Sequence, residues 1–206
     1  MEQKITHLCG SSFNNSWLDL GCGRGKLVPM IKNYSPKYYL GLDTDIKQLV
    51  RALQYHDDNQ NVYQFNPCNL GKVWNENDIK WYNNESHIKF DFVVANFSLM
   101  HFCNDLFWTQ LNQVTHSGSK FLFNLVDPKN ETKEWFESNS FLKIEDDIVT
   151  YKFEWVHNEN KSEPLITNEL LENYLSKYGW KINNKTKPNS KYQLLNMYCW
   201  WVVEKV

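Results

Sequence analysis

The 206-residue sequence has no apolar run near the roughly 18 residues that span a membrane, and its first residues lack the charged-then-apolar order of a secretory signal. A membrane partner is therefore not expected. The chain reads as soluble and intracellular, in cytoplasm or nucleus. Its five cysteines (Cys9, Cys22, Cys68, Cys103 and Cys199) form no C-x-x-C pair and no Cys/His zinc spacing, and their number is odd. That argues against a disulfide framework and a metal site, and for a reducing compartment. Neither sign of charge dominates, with 22 Lys and Arg against 24 Asp and Glu. Broad, nonspecific binding to a nucleic-acid backbone is thus disfavoured, and any nucleic acid would be gripped at one local feature. Alanine is scarce beside abundant Asn and Lys, a bias of AT-rich genomes such as those of viruses or protists. Repeats are missing too, so residues 1–206 read as a single domain, with 1–16 a short polar lead-in.

What the chain does have is nine tryptophans, which promise a core and a site lined by large flat rings. It also has Trp17-Leu18-Asp19-Leu20-Gly21-Cys22-Gly23-Arg24-Gly25, followed about 18 residues later by Tyr39-Leu40-Gly41-Leu42-Asp43. An apolar run ending in a Gly-rich turn, then a second apolar run ending in Asp, predicts two parallel strands joined by a crossover. The glycines let a ligand approach the backbone at the first strand's carboxyl end. Asp43, at the tip of the second strand, suits a ribose diol. The spacing departs from G-x-G-x-x-G, since the third glycine of that pattern is missing.

Along the chain the patterns predict helices from Gly25 to about Asn33 and from Asp45, near its N-cap, to about Tyr55. A third strand follows at Val62–Phe65. A polar, elaborated crossover containing Trp74, Trp81 and Tyr82 runs from Asn69 to Lys89. Phe90–Ala95 reads as a central parallel strand, Asn104 to about Thr115 as an amphipathic helix, Ser117-Gly118 as a turn and Lys120–Val126 as a fifth strand. Beyond Asp127-Pro128 the expectation is a helical stretch to Glu137, a strand at Ile148–Val156 and a polar loop from His157 to Glu163. A helix capped by Thr167 then runs to Lys177, and two final strands lie around Lys181–Asn183 and Leu194–Val203.

The first motif, with Asp19, Gly21, Gly23 and Gly25 in place, resembles the acid-x-G-x-G-x-G of class I S-adenosylmethionine-dependent methyltransferases. The resemblance implies an α/β, Rossmann-like, seven-stranded sheet with helices on both faces, and S-adenosyl-L-methionine as cofactor. Asp19 would then lie beneath the methionine amino group, Gly21 and Gly23 beside the methionine portion, Asp43 on the ribose and Asn66 at the adenine amino group.

Asn96-Phe97-Ser98-Leu99-Met100-His101-Phe102 is similar, with one residue inserted, to the Gln-Phe-Ala/Ser-Leu-His-Tyr of messenger-RNA cap guanine-N7 methyltransferases. Glu163-Pro164-Leu165-Ile166 ahead of a helix and Tyr178-Gly179-Trp180, and the closing run around Tyr198, resemble two further segments of that family. These likenesses imply cofactor contacts from Asn96 and Phe97. They also imply cap contacts from His101, Phe102, Glu163 and Tyr198, with Arg24 reaching the triphosphate and Arg51 a weaker second. The implied partner is a capped or cap-guanylated RNA 5′ end, together with other capping-enzyme domains or subunits. Positioning, without a general base, is the implied catalytic strategy. The sequence departs from the family where Phe13-Asn14-Asn15 runs almost directly into Trp17, without an intervening helix. Two other functions remain open: a class I methyltransferase for another substrate, and a non-catalytic partner of a capping enzyme.

Overall fold

Short strands that are apolar on both sides must be covered on both faces, and the computed structural model contains such a sheet. It describes residues 2–10, 14–55, 62–75, 79, 89–126, 142–145, 148–152, 160–186 and 198–206. Strands β1 (Ser16–Leu20), β2 (Tyr38–Asp43), β3 (Tyr63–Pro67), β4 (Phe90–Ala95), β5 (Thr115–Val126), β9 (Trp180–Thr186) and β10 (Tyr198–Lys205) form one seven-stranded sheet. Its order is β3-β2-β1-β4-β5-β10-β9. The first five strands in that order are parallel, and β10 runs antiparallel to both β5 and β9. The sheet is the one expected from the sequence.

Alternate residues feed two cores. Leu18, Leu40, Val93, Phe121 and Phe123 point to one face, covered by Trp108 and Leu111 of α4 (Asp105–Val114) and by Leu171 and Leu175 of α5 (Asn168–Lys177). Trp17, Tyr39, Val94, Leu122 and Val202 point to the other, beneath α2 (Val28–Ile31) and α1 (Glu2–Cys9). The chain crosses from one face to the other between β1 and β4, so the carboxyl ends of those strands open a crevice at the switch point. Helix α3 (Ile46–Ala52) begins beside it, capped by Asp45, whose side chain accepts from the Lys47 and Gln48 amides. Thr167 caps α5 in the same way through the Leu170 amide.

Several expectations need correction. Residues 1–16 are not a featureless lead-in, because α1 buries Ile5 and Leu8, a pair three residues apart whose period is too short to stand out in a polar context. The helix expected from Gly25 starts only at Val28, since Gly25 has φ +71° and cannot open a right-handed helix. Ser117-Gly118 does not end an element and lies inside β5, whose register with β4 shifts there. The strand at 148–156 leaves the main sheet. Its described part, β7 (Ile148–Lys152), pairs antiparallel with β6 (Leu142–Glu145) and β8 (Asn160–Pro164) in a separate three-stranded sheet. Glu163 accordingly sits in a strand rather than in a solvated loop. Phe13, Trp81, Tyr82, the helical stretch 128–137 and residues 153–156 and 194–197 lie outside the described residues.

If α1 is an integral part of the second core, Leu8→Ala should cost about 2–5 kcal/mol of stability, as large-to-small core changes do. Urea unfolding followed by tryptophan fluorescence measures it. A loss below about 0.5 kcal/mol would return the segment to the status of a lead-in.

Candidate functional site

The end of β1 is clamped from two sides. Gly21 and Cys22 donate their amides to the Leu42 carbonyl at the tip of β2, at 2.8 and 3.0 Å. Ser98, just past β4, donates its hydroxyl to the Leu20 carbonyl at 2.6 Å. Gly21 has φ +73°, and a Cβ there would stand 2.5 Å from Ser98 Cβ, so the position excludes any side chain. Gly23, also left-handed at φ +54°, has open space where its Cβ would be. A ligand can therefore come against its backbone.

The loop turns the Gly23 amide onto Asp43 Oδ2 at 2.8 Å, while the Asp45 amide donates to Asp43 Oδ1 at 2.8 Å. Two fixed amide donors orient the carboxylate, and each oxygen keeps a second lone pair for an outside donor. That is the arrangement a vicinal diol requires.

Asp19, only 2 % exposed, accepts a 2.5 Å hydrogen bond from the Tyr39 hydroxyl on β2. Burial pushes its carboxyl up to about 7, helped by the nearby charge of Asp43 and opposed by the Tyr39 donor. A carboxylate held at such cost is built for a cation. It lines a cavity of about 250 Å³ together with Gly21, Gly23, Arg24, Gln48 and Asn96. The Asn96 side-chain oxygen is buried without a partner among the described residues, so it too awaits a donor. Burial raises the Cys22 thiol, which leaves it an unreactive packing group against Gly41.

This donor and acceptor set fits an amino-acid nucleoside. Asp19 and Asn96 suit an ammonium group, Gly21 and Gly23 admit a chain along the backbone, and Asp43 suits a ribose. Gln48 was missed by sequence reasoning. Its place one turn into α3 follows from the Asp45 cap, three residues upstream, which was the available signal.

Phe97 leaves β4 with φ +57°, a left-handed backbone costing a bulky residue about 1–2 kcal/mol. Its ring, 39 % exposed, meets Tyr198 edge to face at 4.7 Å and Trp200 at 6.3 Å. The Tyr198 hydroxyl donates to Glu163 Oε1 at 2.8 Å, and both residues are buried. Phe97, expected at the cofactor, is not among the residues lining the cavity, and with Glu163 and Tyr198, far apart in sequence, it forms one cluster beside Asn96.

The remaining expected residues divide between strand, surface, core and cavity. Asn66 lies inside β3, accepts at its side-chain oxygen from the Gln64 side-chain Nε2 at 2.9 Å and is not among the residues lining the cavity. His101 is exposed on the short helical turn Leu99–His101. Phe102, expected beside the substrate, packs instead into the core 5.0 Å from Phe107, because the turn rotates it inward. Arg24 is exposed at the cavity, whereas Arg51 is exposed on α3 outside its lining.

Residues 18–118 match the family model of a methyltransferase domain. No curated protein matches the sequence. Among solved structures, the chain resembles an S-adenosylmethionine-dependent methyltransferase from Clostridium acetobutylicum, with 17% identity, 99% of this chain and 90% of that one covered, and a TM-score of 0.71. It also resembles one from Mesorhizobium loti (16%, 98% and 96%, TM-score 0.68). A third likeness is to the glycopeptide N-methyltransferase MtfA complexed with sinefungin (11%, 100% and 85%, TM-score 0.65). At these identities the likeness is one of fold, the Rossmann-like fold of class I methyltransferases. The matched residues carry the pattern of a methyltransferase domain, and the fold is shared with S-adenosylmethionine-dependent methyltransferases.

If the buried Asp19, pushed up to about 7, meets the ammonium group of a cofactor, binding should depend on pH. In the ligand-free protein Asp19 holds its proton from about pH 4 to 7, where the unfolded chain does not, so its contribution to stability falls as pH rises through that window. An ammonium-bearing ligand selects the ionised form. Affinity for S-adenosylhomocysteine should therefore weaken by roughly tenfold per unit below pH 7 and level off above it. Isothermal titration across pH 5.5–8.5 measures this (roughly the window around that midpoint). Tyr39→Phe, which removes the donor that favours the carboxylate, should move the inflection to higher pH. A flat profile would detach Asp19 from the cofactor.

Proposed function

We propose that this methyltransferase-fold protein methylates N7 of the guanine at a capped RNA 5′ end, with S-adenosylmethionine as methyl donor. The observation that carries the substrate half is the Glu163–Tyr198 hydrogen bond beside the Phe97 ring, adjoining the cavity through Asn96. An acceptor held by a phenol and flanked by aromatic rings has the chemistry of a guanine site. A carboxylate accepts from both N1–H and the exocyclic amine, and rings cover the flat base.

The bound cofactor supplies an electrophilic methyl on a sulfonium centre. The protein's own residues do the positioning. Asp19 and Asn96 hold the amino-acid end, and Asp43, fixed by the Gly23 and Asp45 amides, holds the ribose. Glu163 sets the guanine edge, and Tyr198 sets Glu163. Guanine N7 attacks with a lone pair and loses no proton, so no side chain need act as a base. Alignment and a partly dry aromatic surround account for the catalysis. Arg24, exposed at the cavity, is placed to meet phosphate oxygens. Other capping activities would be supplied by partner domains or subunits.

Adenine offers an N1 lone pair and no 2-amino group, so it would bring acceptors face to face at Glu163. Glu163→Gln should lower methyl transfer to GpppA-capped RNA by at least about tenfold. Affinity for S-adenosylhomocysteine should stay nearly constant. Full activity of this variant on capped RNA would end the cap assignment. If Arg24 meets the triphosphate, Arg24→Ala should raise KM for capped RNA, and wild-type activity should fall with added salt. An unchanged KM would take Arg24 out of the substrate site.

A further inference from the structure

We infer that Asn124, in the interior of β5, is the positioning residue that aims the Phe97 ring at Tyr198 and thereby shapes the acceptor pocket. This rests on the reading of Phe97, Glu163 and Tyr198 as a substrate site. Asn124 is fully buried, a single amide in the apolar run Phe121-Leu122-Phe123-Asn124-Leu125-Val126. Its strand lies beside β4 with Phe123 opposite Ala95, and beside β10 with Asn124 opposite Trp200. The side chain thus reaches the point where the chain leaves β4.

There the Asn124 side-chain oxygen accepts the Phe97 amide at 2.6 Å. Phe97 is the one residue of the Asn96–Phe102 turn with a left-handed backbone. A right-handed or extended Phe97 would redirect both its amide and its ring, so the hydrogen bond and the edge-to-face contact with Tyr198 stand or fall together. Packing alone does not call for an amide here. The Asn124 side-chain nitrogen is buried with no partner among the described residues, a cost that an apolar side chain would avoid. The position gives up stability to hold a strained neighbour, and that neighbour faces the substrate cluster. Neither the glycine motif nor the turn sequence marks Asn124, because its role is visible only across the strand pair.

The test uses the full chain with isotope-labelled Phe and Tyr. In Asn124→Leu, the nuclear Overhauser contact between the Phe97 and Tyr198 rings and the exchange protection of the Phe97 amide should both be lost. KM for GpppA-capped RNA should rise at least about tenfold, while affinity for sinefungin stays within about twofold. Asn124→Asp, which keeps the acceptor, should keep the ring contact. Asn124→Ser, too short to reach the amide, gives the same readout as Asn124→Leu should the latter not fold. Persistence of the ring contact in the Leu or Ser variant, or an unchanged KM once the contact is lost, would overturn the inference. A wild-type protein that binds sinefungin but leaves capped RNA unmethylated would instead overturn the cap function, and the ring contact alone would then decide what Asn124 does.

Discussion

The site depends on the close approach of three strand ends around Gly21. The Leu42 carbonyl holds the Gly21 and Cys22 amides, and the Ser98 hydroxyl holds the Leu20 carbonyl, with Ser98 lying where any side chain at position 21 would be. The geometry of β1, β2 and β4 at their carboxyl ends is thereby fixed by backbone groups and one short hydroxyl rather than by long, adaptable side chains. Everything that faces the cavity is set from this clamp. It turns the Gly23 amide onto Asp43, leaves Asp19 buried beneath the loop and starts the turn that carries Phe97. A second close approach reinforces it. Gly41 of β2 has no room for a Cβ because Phe65 and Cys22 pack directly over it.

Burial explains why the two acids of this site differ. Asp43 is half-buried and takes one amide hydrogen bond on each oxygen. Asp19 has a single phenolic donor and no exposure to speak of, so its charge is costly until a cation arrives. The same residue type thus stands in two environments, one suited to hydroxyls and one suited to an ammonium group.

The parallel half of the fold was legible in the sequence because its signals are local. Glycines, an acid at a strand tip and the Asp45 cap lie within one βαβ unit, and each has a single physical meaning. The seven-stranded sheet with its antiparallel end was expected from the alternation of elements, whereas the strand order is seen only in the structure. Signals spread over distant strands were harder to read. Glu163 was singled out but placed in a loop, since Asn160–Pro164 is polar and contains a proline, the composition of a turn. Its register with Ile148–Lys152 is a property of a pair, not of either segment. Phe102 shows the reverse error. An aromatic residue next to an exposed His101 looks like a site residue in one dimension, yet a single helical turn sends its ring into the core. Asn124 carried no local signal at all, and Gln48 only the indirect one of its place three residues after the Asp45 cap.

The cavity is lined from the first part of the chain, by residues 19–27 and 48 together with Asn96, while the aromatic and acidic cluster draws Glu163 from the small sheet and Tyr198 from the last strand. Among the described residues the cavity lining and the cluster adjoin at the Asn96-Phe97 step. In the proposed function, substitutions at Glu163 or Tyr198 would alter what is modified and leave the donor contacts in place, while Val149 of the small sheet, packed in the same core as Leu18 and Leu40, ties that sheet to the rest. The bond joining Asn96 and Phe97 is where lining and cluster adjoin, and drift there would be felt by both at once.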